Sequence, residues 1–344
     1  MGEEEGRGAA DDSGARGGGG GAALEADRIA VVGCGNVGAT SAYALMKRAS
    51  ARELVLLDRD ERRAEGEAMD LQHAAALGNP VDVWAGSWAE AARASIVVVA
   101  AGVGGRPGES RLDLLGRNVV IVREVMERLM AENFGGVLLM TTNPVDVLAQ
   151  FAHELSGMPA SRVISSGTVL DSARLRTMLG RALGVEPRSV HAYVVGEHGD
   201  SEVAAWSSAR VAGVPVREFC ESGGRECPDF GELLRRVRRA APDIIERKGY
   251  TSYAIASCVA RICEAIVRDE HSVLPVSTMT TGQYGVEGVY LSLPCVTGRR
   301  GVERVVEIPL DEEERAGLRH SADVLRRTTE EMRARLSAGA GRAG

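Results

Sequence analysis

Arg28-Ile-Ala-Val-Val-Gly-Cys-Gly-Asn-Val-Gly-Ala-Thr-Ser-Ala-Tyr-Ala-Leu-Met46 decides the fold. The four apolar residues Ile29 to Val32 read as a buried strand, and the apolar-periodic stretch beyond Gly38 reads as a helix. Between them, Gly33, Gly35 and Gly38 form G-x-G-x-x-G in the strand-turn-helix setting that the motif requires. The first glycine permits a tight turn, the second lets a pyrophosphate approach the backbone, and the third lets helix and strand pack closely. The phosphates then meet the positive end of the helix dipole. The next strand, Glu53-Leu-Val-Leu-Leu-Asp58, ends roughly twenty residues further on in an acid suited to accept from the adenosine ribose hydroxyls. A carboxylate there repels a 2′-phosphate, which favours NAD over NADP.

Working outward, a helix is expected around Arg62 to Leu77, a strand near Val81 to Trp84 and a strongly apolar strand at Ile96 to Ala101. Strands apolar on both faces and alternating with helices predict a doubly wound, Rossmann-type parallel sheet. This domain is expected over residues 27–165, and an α+β substrate domain over 166–336. Residues 1–26 are Gly-, Ala- and charge-rich, with Leu24 their one large aliphatic side chain, and are expected to form a disordered tail. Residues 337–344 are expected to be frayed.

Composition narrows the function. Lys and Arg number 41 against 48 Asp and Glu, a net charge of −7, and no basic block stands out, which argues against a nucleic-acid partner. Apolar runs are far too short to span a membrane. Six cysteines without C-x-x-C spacing suit a reducing cytoplasm and suggest neither a disulfide framework nor a metal site.

Two loops carry candidate chemistry. Gly102-Val-Gly-Gly-Arg-Pro-Gly-Glu-Ser-Arg-Leu-Asp113 cannot hold regular structure at its start, and sets Arg106 and Arg111 at the carboxyl edge of the sheet like a lid. A helix is expected only from Leu114. Asn143 ends the next strand, Gly136 to Thr142, with an amide that could donate to a carbonyl oxygen. Further on, His191-Ala-Tyr-Val-Val-Gly-Glu-His-Gly-Asp-Ser201 sets His198 in a glycine-flanked turn after an apolar run. Histidine titrates nearest neutrality, so an imidazole held there is a candidate proton donor.

Six motifs occur in order: Gly33-x-Gly35-x-x-Gly38, Pro107-Gly-Glu-Ser-Arg-Leu-Asp-Leu114, Thr142-Asn-Pro-Val-Asp146, Gly167-Thr-Val-Leu-Asp-Ser-Ala-Arg174, Gly196-Glu-His-Gly-Asp-Ser201 and Lys248-Gly-Tyr-Thr-Ser252. Together they resemble the L-lactate and malate dehydrogenase family, and most of all its bacterial L-lactate dehydrogenases. The resemblance runs from Ile29 to about Met332 and implies reversible NADH-dependent reduction of pyruvate to (S)-lactate at the end of glycolysis.

It also implies roles. His198 as imidazolium gives the proton, with Asp171 on its other nitrogen. Arg174 lies one helical turn from Asp171 and grips the substrate carboxylate with a two-pronged ion pair that lysine cannot make. Arg111 polarises the carbonyl from the lid, Asn143 assists at the same oxygen, and Thr251 lines the pocket. Val37, Arg63, Gly102, Thr142 and Ser166 fall along the cofactor. Arg176 and His191 match positions that bind the phosphates of fructose 1,6-bisphosphate across a subunit boundary, which implies an allosterically activated homotetramer. Two cations brought together by a two-fold axis repel until a dianion bridges them.

The chain departs from the family at the lid. Gly105 stands where the lactate branch usually has Gln and the malate branch Arg, and Arg106 follows it. Glycine removes a polar contact and leaves room, so a broad-range L-2-hydroxy acid dehydrogenase is an alternative. If the lid shifts by one residue, Arg106 could meet the second carboxylate of oxaloacetate, as in a malate dehydrogenase. The segment Ser201-Glu-Val-Ala-Ala-Trp-Ser207 is similar to the lactate branch. A catalytically silent NAD-binding protein would be expected to lack His198, Asp171 or Arg174, and all three are present.

Overall fold

The computed structural model describes residues 24–48, 50–105, 108–222 and 226–340. Arg106 and residues 1–23 of the expected tail lie outside the described residues.

Strand and helix alternate through the first half: β1 (Glu25–Val32), α1 (Asn36–Lys47), β2 (Glu53–Leu57), α2 (Glu61–Ala75), β3 (Asp82–Ala85), α3 (Trp88–Ala92), β4 (Ala94–Val99), α4 (Arg111–Ala131), β5 (Val137–Met140), α5 (Val145–Ser156) and β6 (Val163–Ser165). The six strands pair in parallel in the order β6-β5-β4-β1-β2-β3. Two antiparallel strands, Ser277–Thr281 and Glu287–Ser292, extend the sheet beyond β6. Helices cover both faces, and strands such as β4, whose Ile96 to Val99 are fully buried, are apolar throughout because neither face meets water. The order reverses between β1 and β4, which opens a crevice at their carboxyl ends.

The second half carries α6 (Val169–Leu183), α7 (Val216–Ser222), α8 (Phe230–Lys248), α9 (Tyr253–Val267) and α10 (Glu312–Ala340), with small antiparallel sheets between them. Leu175, Leu179, Val194, Val216 and Val237 build a second, smaller core here. The hairpin Val194–Val195 with Val203–Ala204 frames the turn that carries His198. No helix among the described residues is long and apolar enough to cross a membrane.

Several boundaries differ from the expectations, three of them with a clear cause. β1 starts at Glu25, inside the segment 1–26, because Glu25 pairs with both Arg28 and Arg93 and its amide donates to the Arg93 carbonyl at 2.8 Å. α4 starts at Arg111, since Ser110 Oγ accepts from the Asp113 amide at 3.1 Å and caps the helix. α10 runs to Ala340, past residue 336, with Leu336 packed on the core and Arg335 paired to Asp113 of α4.

The glycines of the first turn are sterically distinct. A Cβ at Gly38 would fall 1.7 Å from the Gly33 carbonyl oxygen, whereas one at Gly35 meets nothing within 4 Å. Gly38→Ala should therefore cost at least about 2 kcal/mol in urea denaturation. Gly35→Ala should stay within about 1 kcal/mol of the parent.

Candidate active site

The crevice is built by the carboxyl ends of four strands. After β1, Gly33 takes φ +98°, and a Cβ there would lie 2.4 Å from the Ala101 amide at the end of β4. Only glycine permits that approach. Gly35 caps α1 without a side-chain hydrogen bond and borders open space, and Val37 sits half-buried in the first helical turn. An uncapped helix start beside room for a ligand fits a pyrophosphate.

Asp58 Oδ2 accepts from the Cys34 amide at 2.7 Å, and its Oδ1 from the Asp60 amide at 3.0 Å. The carboxylate that sequence reasoning assigned to a ribose therefore also holds the glycine turn in shape. Arg63 lies exposed in the first turn of α2, near enough that its charge acts on the Cys34 thiol. Burial, with Asp58 and Glu67, outweighs Arg63 and pushes that thiol up to about 12, so Cys34 stays an uncharged packing group. Beyond β4, a Cβ on Gly102 would lie 2.3 Å from Thr142 Cγ2, and Thr142 Oγ1 donates to the Ala101 carbonyl at 2.8 Å. The Ser166 amide donates to the Met140 carbonyl at 3.0 Å, next to β5. Gly33, Gly102, Thr142 and Ser166 thus follow β1, β4, β5 and β6 in one row.

At the far end of that row, one carboxylate joins two cations. Asp171, on the first turn of α6 and 2 % exposed, bonds His198 Nδ1 through Oδ2 at 2.5 Å and Arg174 Nη1 through Oδ1 at 2.8 Å. Burial opposes its charge, but His198 and Arg174 outweigh burial and hold the carboxyl below the usual carboxylate range. Burial also opposes charge on His198; Asp171 first, then Asp146 and Glu202, overcome it and raise the imidazole to about 9. The His198 ring is a quarter exposed. With Nδ1 engaged by Asp171, the transferable proton sits on Nε2.

Sequence reasoning missed several supporting groups. Asp146 of α5, buried and pushed to about 6 by that burial, accepts from the His198 amide at 2.8 Å. Asn118 of α4 accepts from the Val103 amide at 2.8 Å and donates to the Asn143 carbonyl at 2.9 Å, tying the lid base to the end of β5. A buried amide within the apolar stripe of Leu115, Val119 and Val122 was the available signal. Asp200 pairs with Arg111 at 2.6 Å, so the lid arginine reaches the His198 turn through an exposed ion pair.

The remaining expected residues are less converged. The Asn143 side chain is exposed, Thr251 is half-buried in the link between α8 and α9, and Gly105 is exposed, with Leu114 Cδ2 3.7 Å from the place of its absent Cβ among the described residues. Arg176 donates from Nε to the Ala192 carbonyl at 2.9 Å and stacks on Tyr193, beside the exposed His191.

A dinucleotide crevice ending at a buried acid joined to an imidazole and a guanidinium defines an NAD-dependent oxidoreductase. Residues 27–165 match the lactate/malate dehydrogenase NAD binding domain, and residues 168–336 match the alpha/beta C-terminal domain of the same enzymes. The chain belongs to the lactate/malate dehydrogenase family. It is 49% identical over 301 residues to an L-lactate dehydrogenase of Moorella thermoacetica, covering 87% of this chain and 95% of that one. Against an L-lactate dehydrogenase of Thermoanaerobacter sp. strain X514 it is 45% identical over 308 residues, covering 89% and 99%. Among solved structures, the ligand-bound minor L-lactate dehydrogenase of Enterococcus mundtii superposes with a TM-score of 0.86 at 40% identity, over 88% of this chain and 98% of that one. A lactate dehydrogenase from a Medee basin deep-sea metagenome library gives 0.87 at 42% identity, over 89% and 98%.

His198 titrates near 9 in the fold against about 6.5 for a free imidazole. Because the folded value is the higher one, this group's contribution to stability is full below about pH 6.5 and is lost as pH rises through 9. In Asp171→Asn, burial acts with less opposition, and the His198 midpoint should fall by about two pH units in an NMR titration. A midpoint that stays near 9 would refute Asp171 as its cause.

Proposed function

We propose that the chain is an L-lactate dehydrogenase that interconverts pyruvate and (S)-lactate with NAD at the end of glycolysis. The observation that carries this reading is the single Asp171 carboxylate holding both His198 and Arg174. A 2-keto acid needs a proton at its carbonyl oxygen and a cation at its carboxylate, and these two side chains would supply them from fixed neighbouring points.

Bound NADH supplies the hydride to the carbonyl carbon. Gly33, Gly35, Val37, Gly38, Asp58, Arg63, Gly102, Thr142 and Ser166 would hold the cofactor. His198 would pass its Nε2 proton to the developing alkoxide while Asp171 holds the ring and balances its charge. Arg174 would take the carboxylate in two hydrogen bonds, and Thr251 would border the remaining substrate. Arg111 would leave Asp200 and turn to the carbonyl, with Asn143. The Arg111–Asp200 pair is exposed on both sides, so releasing it costs little.

A second reading, a broader L-2-hydroxy acid dehydrogenase, is favoured by Gly105, which brings no side chain and whose absent Cβ would meet Leu114 Cδ2 at an ordinary 3.7 Å. One methylene of pocket shape is worth only about 1–3 kcal/mol, so 2-ketobutyrate would be an accepted substrate. A malate dehydrogenase would instead use Arg106 for the second carboxylate. We further propose a homotetramer activated by fructose 1,6-bisphosphate through Arg176 and His191.

NADH oxidation with pyruvate, 2-ketobutyrate and oxaloacetate tests these readings: pyruvate should give the highest kcat/KM, and an oxaloacetate preference would replace the lactate reading. Repeating the assay with the bisphosphate should lower the apparent KM, and an unchanged KM would remove the effector. Arg174→Lys loses the fork and should cut kcat/KM for pyruvate by roughly a hundredfold, about 3 kcal/mol.

A further inference from the structure

One buried carboxyl beside the catalytic set has no role in the scheme above. Glu202 closes the turn after His198 and is 2 % exposed. One of its carboxylate oxygens, one of Asp171 and a ring nitrogen of His198 lie within 4.8 Å of one another. Among the described residues Oε1 of Glu202 is buried without a hydrogen bond, and Arg238 Nε of α8 lies 4.0 Å from it. An ion left with so little compensation is costly, so packing alone does not account for a glutamate here.

Glu202 also lines a cavity of about 370 Å³, together with Arg238, Asp200, Arg111 and His320. Glu202 therefore belongs both to the imidazole–aspartate cluster and to the lining of this space. We propose that Glu202 is a positioning residue for the reaction: its carboxyl, exchanging protons through this cavity, sets how firmly His198 holds the proton that it delivers. The proposal rests on His198 being the proton donor.

The surrounding charges give the direction. Burial and the Asp171 charge hold the Glu202 proton on, while His198, Arg238 and Arg174 favour its release, and the carboxyl ionises at about 8. Near neutrality it is a neutral acid, and Asp171 is the main anion at the imidazole. Above that range it becomes a second anion, and His198 holds its proton more firmly. When His198 delivers its proton, Asp171 loses a cationic partner; a protonated Glu202 keeps the pocket from holding two facing anions at that moment. Asp146 on the His198 amide and the Cys258 thiol beside Asp171 also face the couple. Both remain in a Glu202 variant, as do Glu197 and His320.

The test follows His198 by NMR in the full-length protein labelled with 13C-histidine. The wild-type resonance should show two inflections, one of them from Glu202. In Glu202→Gln the extra inflection should vanish and the His198 midpoint should fall by at least about half a pH unit. Glu202→Asp, which keeps a titrating carboxyl, should restore part of the shift. The alkaline limb of kcat/KM for pyruvate should move with the midpoint, raising the pH 6 to pH 9 activity ratio about threefold. A single-step wild-type curve, an unmoved midpoint in Glu202→Gln, or an activity loss equal at all pH values would overturn the proposal. The NMR result does not depend on turnover, so a chain inactive on every 2-keto acid would sink the dehydrogenase reading and leave the Glu202 titration separately decided.

Discussion

The bridge from Asp171 to His198 and Arg174 is the constraint around which the active site is organised. A carboxylate this buried is tolerated only with charged partners, and removing either one would leave the other geometry unsupported. Both contacts depend on where α6 begins, directly after β6, and on the hairpin that returns the His198 turn to its first residues. The Thr168 hydroxyl donates to the Val194 carbonyl at 2.6 Å and the Val194 amide to Ser172 Oγ at 2.9 Å, which fix that hairpin to the helix. The imidazole is thus oriented by a buried network, and its high affinity for a proton follows from that network and from no property of histidine itself.

On the cofactor side the governing effect is steric. The pairing of β1 with β4 brings the Gly33 turn against Ala101, and the tight turn into α1 brings the Gly38 position against the Gly33 carbonyl, at distances no side chain allows. Asp58 then closes the turn from β2 through the Cys34 amide. A ligand entering here meets backbone donors and a helix end already in place, at no reorganisation cost on binding.

Between the two halves lies a surplus of acid. Asp146, Asp171 and Glu202 are all buried near one imidazole, and Asp200 holds the lid arginine at the surface. Asp171, with Asp146, keeps His198 cationic near neutrality, and the exposed Asp200 holds Arg111 by a weak surface ion pair. Burial makes the first group strong and exposure makes the second weak.

The sequence by itself determined what is local or periodic. The strand-glycine-helix run, the acid at the end of β2, the apolar strands and the order of motifs fixed the doubly wound sheet and the family, because each is a short-range pattern. The i, i+3 spacing of Asp171 and Arg174 was legible for the same reason. Pairings between distant segments were not: the Arg111–Asp200 contact joins residues 89 apart, Asn118 reaches Asn143 across 25, and Asp146 reaches the His198 amide across 52. Burial likewise belongs to the folded chain, and with the Asp171 charge it turns Glu202 from an ordinary acid in a polar turn into a carboxyl that ionises at about 8. Its charge is set by how much water the fold removes around it, and that amount is fixed only when α6, α8 and the hairpin close together.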